Sequence, residues 1–128
     1  MKKITLIFLL LASTVFVYAQ DYKMKDNTIV KVDNNGKVLQ SKLYNKSVES
    51  LKDFSVSNTE KKIIVVAINY EDYSKIEILN SDLIYQDEVD INGSSNIKAI
   101  AINGKNEIVI LFNNGDIRKY DLKLNKIE

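Results

Sequence analysis

The hydrophobic and polar positions of this chain follow short patterns that are typical of β-strands. Residues 63–68 and 108–112 are apolar at every position. A strand that is apolar on both sides needs cover above and below. Over residues 83–91, apolar residues alternate with acids and an amide, which indicates an outer strand with one side in water. The pattern predicts an all-β fold of antiparallel sheets that stack on one another.

Turn residues divide these stretches. Each of the four glycines follows an asparagine, and the last three, Gly93, Gly104 and Gly115, stand 11 residues apart. Asparagine and glycine both tolerate positive φ, which a two-residue hairpin turn requires at its centre. The C-terminal third is therefore predicted to be a β-meander with two-residue turns.

The apolar positions also recur along the chain at a long interval. The positions that match are Leu51, Phe54 and Val56 with Ile97, Ile100 and Ile102; residues 63–66 with 108–111; Ile76, Leu79 and Asn80 with Ile117, Tyr120 and Asp121; and residues 29–33 with 117–121. The offset falls from 46 through 45 to 41 within the longer match. A period of about 40 to 47 residues with four short strands per unit is typical of propeller blades.

These residues carry a resemblance to the WD-repeat family of β-propellers. The segment 115–121 stands where that family has a turn, a strand and a Trp-Asp pair, with Tyr120 in place of tryptophan. The resemblance implies two to three propeller-blade-like four-stranded units and carries no functional residue. Because a closed propeller has at least about four blades, we expect an open or incomplete antiparallel β-meander. A β-sandwich is the alternative.

Residues 45–54 allow two interpretations. Val48, Leu51 and Phe54 recur every three residues, and Ser47 could cap the first turn of a short helix. The internal match instead places Leu51 at the start of a strand. We therefore expect a loop followed by a strand.

The N-terminus has the features of an export signal. Met1, Lys2 and Lys3 form a positive start, an apolar run begins at Ile4, and residues 17–19 form a small-residue cleavage pattern. The apolar run is shorter than the ~20 residues of a membrane span. We expect a signal peptide at residues 1–19, of the Gram-negative bacterial type, and one β-repeat domain at 20–128. The mature chain would be periplasmic or extracellular, with no membrane span.

The amino-acid composition limits the catalytic groups, metal ligands and partners that this chain can have. The chain has no cysteine and no histidine, so it lacks the commonest general base, metal ligand and thiol nucleophile. Without Lys2 and Lys3 the chain has sixteen basic and seventeen acidic residues, and Arg118 is the only arginine. A nearly neutral mixed surface argues against nucleic acid or an anionic membrane as partners.

The acidic residues suggest no catalytic or metal site. Glu88, Asp90 and Asn92 have part of the spacing of a calcium loop, but Ala99 stands where a bidentate glutamate belongs. Glu71 and Asp72 are adjacent, and neighbouring residues on a strand point to opposite faces. We therefore expect no catalytic residue, no metal and no cofactor.

The best candidates for binding lie in the loop at residues 69–75. It carries Tyr70, Asp72 and Tyr73, and tyrosine offers a large rigid surface with a polar tip. In the alternative interpretation, Tyr70 and Tyr73 pack down on the edge of a sheet.

Together these features predict an exported, non-catalytic interaction or structural module. Its partner would be a protein, a glycan, or another copy that binds through an exposed blade face or edge. Two other classes stay open: a fragment of a secreted carboxylate-dependent hydrolase or lyase, and a β-sandwich adhesin-like domain.

Overall fold

The structure, a computed structural model, describes residues 21–92 and 95–127, so the expected signal peptide lies outside the described residues. These residues form ten strands and no helix. The strands are β1 (Asp21–Lys25), β2 (Thr28–Val32), β3 (Val38–Leu43), β4 (Ser50–Val56), β5 (Ile63–Asn69), β6 (Ser74–Asn80), β7 (Tyr85–Ile91), β8 (Ile97–Ile102), β9 (Ile108–Phe112) and β10 (Ile117–Tyr120). The predicted all-β class is confirmed.

The strands form three antiparallel sheets, and none of them closes into a barrel. The N-terminal sheet has the order β1-β2-β3, the central sheet β4-β5-β6-β7, and the C-terminal sheet β10-β9-β8. Every pairing joins strands that follow one another in the chain. Each sheet is therefore a meander, as expected. Within the described residues there is no helical segment of the length and apolar character that a bilayer crossing demands.

The central sheet has a hydrophobic core on each side. Val65 and Ala67 of β5 pack in one core with the C-terminal sheet. Ile64, Val66 and Ile68 of the same strand pack in the other, with residues of the N-terminal sheet. All five side chains are fully buried. The cover that the sequence predicted on both sides of residues 63–68 is confirmed.

The corresponding strand of the C-terminal sheet is covered on one side only. Ile108, Ile110 and Phe112 are buried in the core shared with the central sheet. Val109 and Leu111 point the other way and are half-buried. The expectation that residues 108–112 are covered above and below is thus wrong for the described part of the chain.

The strand registers also correct the sequence match by one residue. Ile64 pairs with Val56, and Ile108 pairs with Ile102. The equivalent of Ile108 is therefore Ile64 and not Ile63. A shift of one residue moves a side chain to the opposite face of a sheet, so the correction decides which residues of each strand share a core.

The turns at Gly36, Gly104 and Gly115 differ from the predicted two-residue type, and the turn predicted at Gly93 lies outside the described residues. Five hairpins share one hydrogen-bond pattern within a five-residue segment. The N–H of the first residue of the segment donates to the carbonyl of the fifth, and the N–H of the fourth residue donates to the carbonyl of the first. These three-residue loops need positive φ at the fourth position, which Gly36 (81°) and Gly115 (93°) occupy. The two-residue turn is formed instead by Asp26 (51°) and Asn27 (63°). The five loops are residues 33–37, 80–84, 103–107, 112–116 and 121–125.

The segment before β4 is a loop, as preferred from the sequence. The N–H of Glu49 donates to the carbonyl of Asn45 at 2.7 Å, which closes a single turn. The side chain of Asn45, and not that of Ser47, accepts the bond that caps this turn, from the N–H of Ser47 at 3.1 Å. The strand then starts at Ser50.

Polar contacts attach the N-terminal sheet to the central sheet. The Tyr22 hydroxyl donates to the carbonyl of Ser81 at 2.7 Å, and Lys31 forms an ion pair with Asp82 at 3.0 Å. The Tyr44 hydroxyl donates to Glu77 at 2.6 Å. Burial, followed by this bond, raises the pKa of Tyr44 far above its ordinary value.

Candidate binding groove

An open groove of about 690 Å³ lies at one end of the central sheet. One wall is the loop before β4 together with the first residue of that strand, at residues 46–50, and the other is the β5–β6 hairpin with Tyr70 and Tyr73. Lys52, Asn69, Asn96 and Asn113 complete the lining. We call this space the hairpin groove. It combines aromatic rings, amides and charges of both signs.

Two parallel aromatic rings form the hairpin wall. The rings of Tyr70 and Tyr73 stack with centroids 4.6 Å apart and planes 2° from parallel. The N–H of Tyr70 donates to the carbonyl of Tyr73 at 2.8 Å, so the backbone holds the two rings together. Tyr70 also packs against the core shared with the N-terminal sheet, while Tyr73 is half-buried. The pair is a fixed aromatic surface.

The two walls of the hairpin groove are linked through Glu49. The Tyr70 hydroxyl donates to Oε2 of Glu49 at 2.6 Å, and the N–H of Asn45 donates to Oε1 at 2.9 Å. Both carboxylate oxygens therefore have structural partners. Partial burial, followed by the bond to Glu49, raises the pKa of Tyr70 to about 12.

A lysine continues this network on the outer side of the hairpin. The ammonium of Lys75 lies 5.3 Å from the centre of the Tyr70 ring, within cation–π range. The same ammonium forms an ion pair with Glu88 at 3.3 Å. Burial acts to lower the pKa of Lys75, but its contacts with Tyr70 and Glu88 raise the pKa above the ordinary value. Tyr70 thus contacts both Glu49 and Lys75.

A buried amide fixes the hairpin against the C-terminal sheet. The side chain of Asn69 accepts a bond from the N–H of Ile97 and donates one to its carbonyl, both at 3.0 Å. The Ser74 hydroxyl donates to the same amide oxygen at 2.6 Å. Asn27 makes a similar clamp, accepting from the N–H of Leu51 at 3.0 Å. Each clamp holds the first strand of the following sheet.

The structure brings the three residues predicted for binding to one place. Tyr70, Asp72 and Tyr73 all line the hairpin groove, and Asp72 is exposed. Tyr70 packs on the sheet, as in the alternative interpretation, and also lines the hairpin groove, while a binding role for the tyrosines stays a prediction. Glu49 was missed, and the clamping role of Asn69 at the start of the predicted loop was not foreseen, because both roles depend on contacts between distant segments. One signal in the sequence was an asparagine at matching positions, Asn69 as the last residue of β5 and Asn113 directly after β9.

The carboxylates of the described residues form no metal site. Nowhere in residues 21–92 and 95–127 do three histidine, cysteine, aspartate or glutamate side chains converge closely enough to hold an ion. Glu88 and Asp90, the residues of the partial calcium pattern, lie exposed on the outer strand β7. In the hairpin groove, Glu49 comes from one loop and Glu71 and Asp72 from another.

No protein-family model matches the sequence, and no curated protein matches it.

Proposed function

We propose that this chain is an exported, non-catalytic binding module of the propeller-blade type, and that the hairpin groove is its ligand site. The observation that carries the proposal is the stacked pair of Tyr70 and Tyr73, which is held in place and still lines an open groove. A rigid aromatic surface loses little conformational entropy when a ligand binds.

The blade interpretation is supported by features that recur at matching positions. Asp33, Asn80 and Asp121 each begin the turn after the third strand of a unit, with a side-chain oxygen that accepts two backbone bonds. Asn27, in the turn after the second strand of one unit, and Asn69, at the end of the second strand of the next, each clamp the following unit. In this interpretation the N-terminal sheet has the second to fourth strands of a unit, and the C-terminal sheet has the first to third.

Binding is favoured over catalysis by the state of Glu49. A hydrolase of the carboxylate type needs two carboxyl groups placed on either side of one bond. The hairpin groove does contain acids from two loops, which is the observation that favours the enzyme as a second candidate. Both oxygens of Glu49, however, are bonded to Tyr70 and Asn45, so this carboxylate has a structural role.

The ligand would be a protein segment or a glycan. Flat tyrosine rings suit the apolar faces of either, and exposed side chains of both signs, Lys46, Lys52, Glu71 and Asp72, border the rings. Balanced charge argues against a strongly charged ligand. The proposed location, periplasm or cell exterior, follows from the expected signal peptide.

A backbone-amide NMR titration tests the hairpin groove directly. Probes would be neutral β-linked hexasaccharides and uncharged extended peptides of about ten residues, each added to the labelled chain. We expect shifts confined to residues 46–50 and 70–73, and their loss in Tyr73→Ala. Tyr85→Ala is the matched control, because Tyr85 is an exposed tyrosine on β7 outside the hairpin groove. Shifts elsewhere, or shifts that survive Tyr73→Ala, would contradict the proposal.

The enzyme alternative has its own test. A carboxylate-dependent hydrolase or lyase would cleave chromogenic glycosides or uronide polymers, and Glu71→Gln would abolish the cleavage while leaving the fold intact. We expect no turnover by the unaltered chain. Turnover that Glu71→Gln removes would favour the enzyme.

A further inference from the structure

The exposed charges that border the hairpin groove are separated by sign between its two walls. Lys46 belongs to the wall formed by residues 46–50, and Lys52 follows that wall on β4. Glu71 and Asp72 belong to the other wall, between the two tyrosines of the β5–β6 hairpin. All four side chains are exposed. One wall therefore presents positive charge to the groove and the other wall presents negative charge.

These four side chains also differ from the carboxylate that links the walls. Glu49 uses both of its oxygens in bonds to Tyr70 and Asn45. Within residues 21–92 and 95–127, none of the four exposed side chains forms a hydrogen bond or an ion pair. They are free to contact a ligand. A ligand that uses both walls has to carry a positive and a negative group.

The tyrosine pair on the negative wall is itself suited to a cation. Stacking covers one face of the Tyr73 ring, and the half-buried side chain still lines the groove. The other ring, that of Tyr70, already has the ammonium of Lys75 at 5.3 Å from its centre. The face of an aromatic ring is electron-rich and attracts cations. A guanidinium, which is planar and stacks on aromatic rings, fits such a surface better than an ammonium.

We propose that the ligand of the hairpin groove is an extended protein segment in which a basic residue and an acidic residue are adjacent. Consecutive side chains of an extended chain point to opposite sides. The basic side chain then meets the hairpin wall at Tyr73, and the acidic side chain meets Lys46 and Lys52. Such a segment has no net charge, in agreement with the balanced charge of the groove. The inference rests on the proposed function and narrows its ligand.

A neutral glycan suits the hairpin groove less well than this segment. It can stack on the Tyr73 ring, but it leaves the charges of both walls without a partner. Complementary charge acts mainly on the choice between partners. An exposed ion pair changes affinity by only about threefold. With one contact on each wall, we expect about a tenfold preference for the charged segment over an uncharged one.

An NMR titration of the labelled full chain with four probes tests this inference. Two probes are end-blocked peptides of about ten serine and threonine residues, with arginine–glutamate or glutamate–arginine at the centre. The third has two glutamines there, and the fourth is a neutral β-linked hexasaccharide. We expect shifts at residues 46–50 and 70–73, and about tenfold tighter binding of one charged peptide than of the glutamine peptide. Raising the salt from about 20 to 500 mM should reduce this preference, because ions screen exposed charges.

Variants of the chain assign the preference to the two walls. Asp72→Lys and Lys52→Glu should each reduce it to about threefold or less, while the affinity for the glutamine peptide changes less than about twofold. The affinity for that peptide also reports whether the groove keeps its shape. Glu60→Lys is the matched control for Asp72→Lys, because it makes the same change of net charge at an exposed residue outside the groove. It should leave the preference unchanged.

The possible outcomes separate this inference from the proposed function. Three results would overturn the inference and leave the hairpin groove as a ligand site: equal affinity for the charged and the glutamine peptides, tighter binding of the hexasaccharide, or a preference that Glu60→Lys alters as much as Asp72→Lys. A preference that survives both Asp72→Lys and Lys52→Glu would count against it in the same way. Absence of shifts at residues 46–50 and 70–73 with every probe would overturn both the inference and the proposed function.

Discussion

Asp53 accepts a hydrogen bond from the backbone N–H of Ile100 at 2.8 Å and thereby joins the first strands of two consecutive sheets. The other oxygen of the same carboxylate accepts the N–H of Phe54 at 2.9 Å. Ile100 is buried, so its N–H would be left without a partner if Asp53 were removed. This one side chain therefore couples the central sheet to the C-terminal sheet.

The first prediction is that Asp53→Ala lowers the free energy of unfolding by about 1–2 kcal/mol, the usual effect of leaving a buried donor unpaired. Asp53→Asn keeps an acceptor and should cost less. Urea denaturation followed by circular dichroism measures both. Asp90→Ala, a change of an exposed acid on β7, is the control. An equal effect of Asp53→Ala and Asp90→Ala would show that the bond contributes nothing.

The second prediction compares two valines that the sequence alone makes equivalent in hydrophobicity. Val65 is fully buried between sheets, whereas Val109 is half-buried on the side of the C-terminal sheet that points away from the central sheet. Val65→Ala should lower the free energy of unfolding by about 2 kcal/mol, because it leaves a cavity in a packed core. Val109→Ala should cost about 1 kcal/mol or less. Urea denaturation followed by circular dichroism measures both, and equal losses for the two variants would contradict the prediction.

The comparison of Val65 with Val109 also shows how much of the fold could be predicted from the sequence. The runs at residues 63–68 and 108–112 are both fully apolar, so their patterns predict strands but not what lies on each side. Cover for Val109 depends on whether another sheet follows, which a local pattern does not encode. The match of Ile63 with Ile108 paired equivalent strands, but it paired residues that lie on opposite faces of their sheets. An apolar run without alternation does not determine the register.

The sequence also predicted some residues of the candidate site and not others. Tyr70, Asp72 and Tyr73 could be selected because tyrosines in a loop suggest a binding surface. Glu49 could not be selected, since its role comes from a hydrogen bond to Tyr70, 21 positions away in the chain. The predicted length of the turns was wrong for a related reason. Asn-Gly pairs predict positive φ, but the pairing of the flanking strands sets the number of residues in the loop.

The third prediction concerns the turn that Asp121 begins. Its carboxylate accepts the N–H groups of Lys123 and Asn125, both at 2.9 Å. The bond from Asn125 is the main reason that the pKa of Asp121 lies below its ordinary value. A lowered pKa in the folded chain means that the stabilisation is present above the unfolded pKa of about 4 and is lost as the pH falls through the folded value.

Asp121→Asn is the matched variant, because the central sheet already has an asparagine, Asn80, at the equivalent position. The amide oxygen of Asn80 accepts the same two backbone bonds. Asp121→Asn should keep the turn and remove its share of the pH dependence below about pH 5. Asp121→Ala should lose the bonds at every pH. Thermal unfolding of the three proteins between about pH 2.5 and 7 checks this. If Asp121→Asn and the unaltered chain lose stability in parallel with falling pH, the assignment to Asp121 is wrong.

The last prediction uses Tyr70, whose hydroxyl bond to Glu49 joins the two walls of the hairpin groove. Tyr70→Phe keeps the ring and its stacking on Tyr73 but removes the bond. The free energy of unfolding at neutral pH should fall by about 1 kcal/mol. The dependence on pH is more specific. Because the folded pKa is raised to about 12, the stabilisation is complete below the unfolded value near about 10 and is lost as the pH rises towards 12.

Tyr22 and Tyr44 also have raised pKa values, so the unaltered chain should lose stability from several tyrosines above about pH 10. The difference between the unaltered chain and Tyr70→Phe isolates the contribution of one hydroxyl. We expect that difference to shrink as the pH rises from about 10 to 12. Denaturation in urea at intervals of half a pH unit provides the measurement. A constant difference across this range would mean that Tyr70 stabilises the chain through its ring and not through its bond to Glu49.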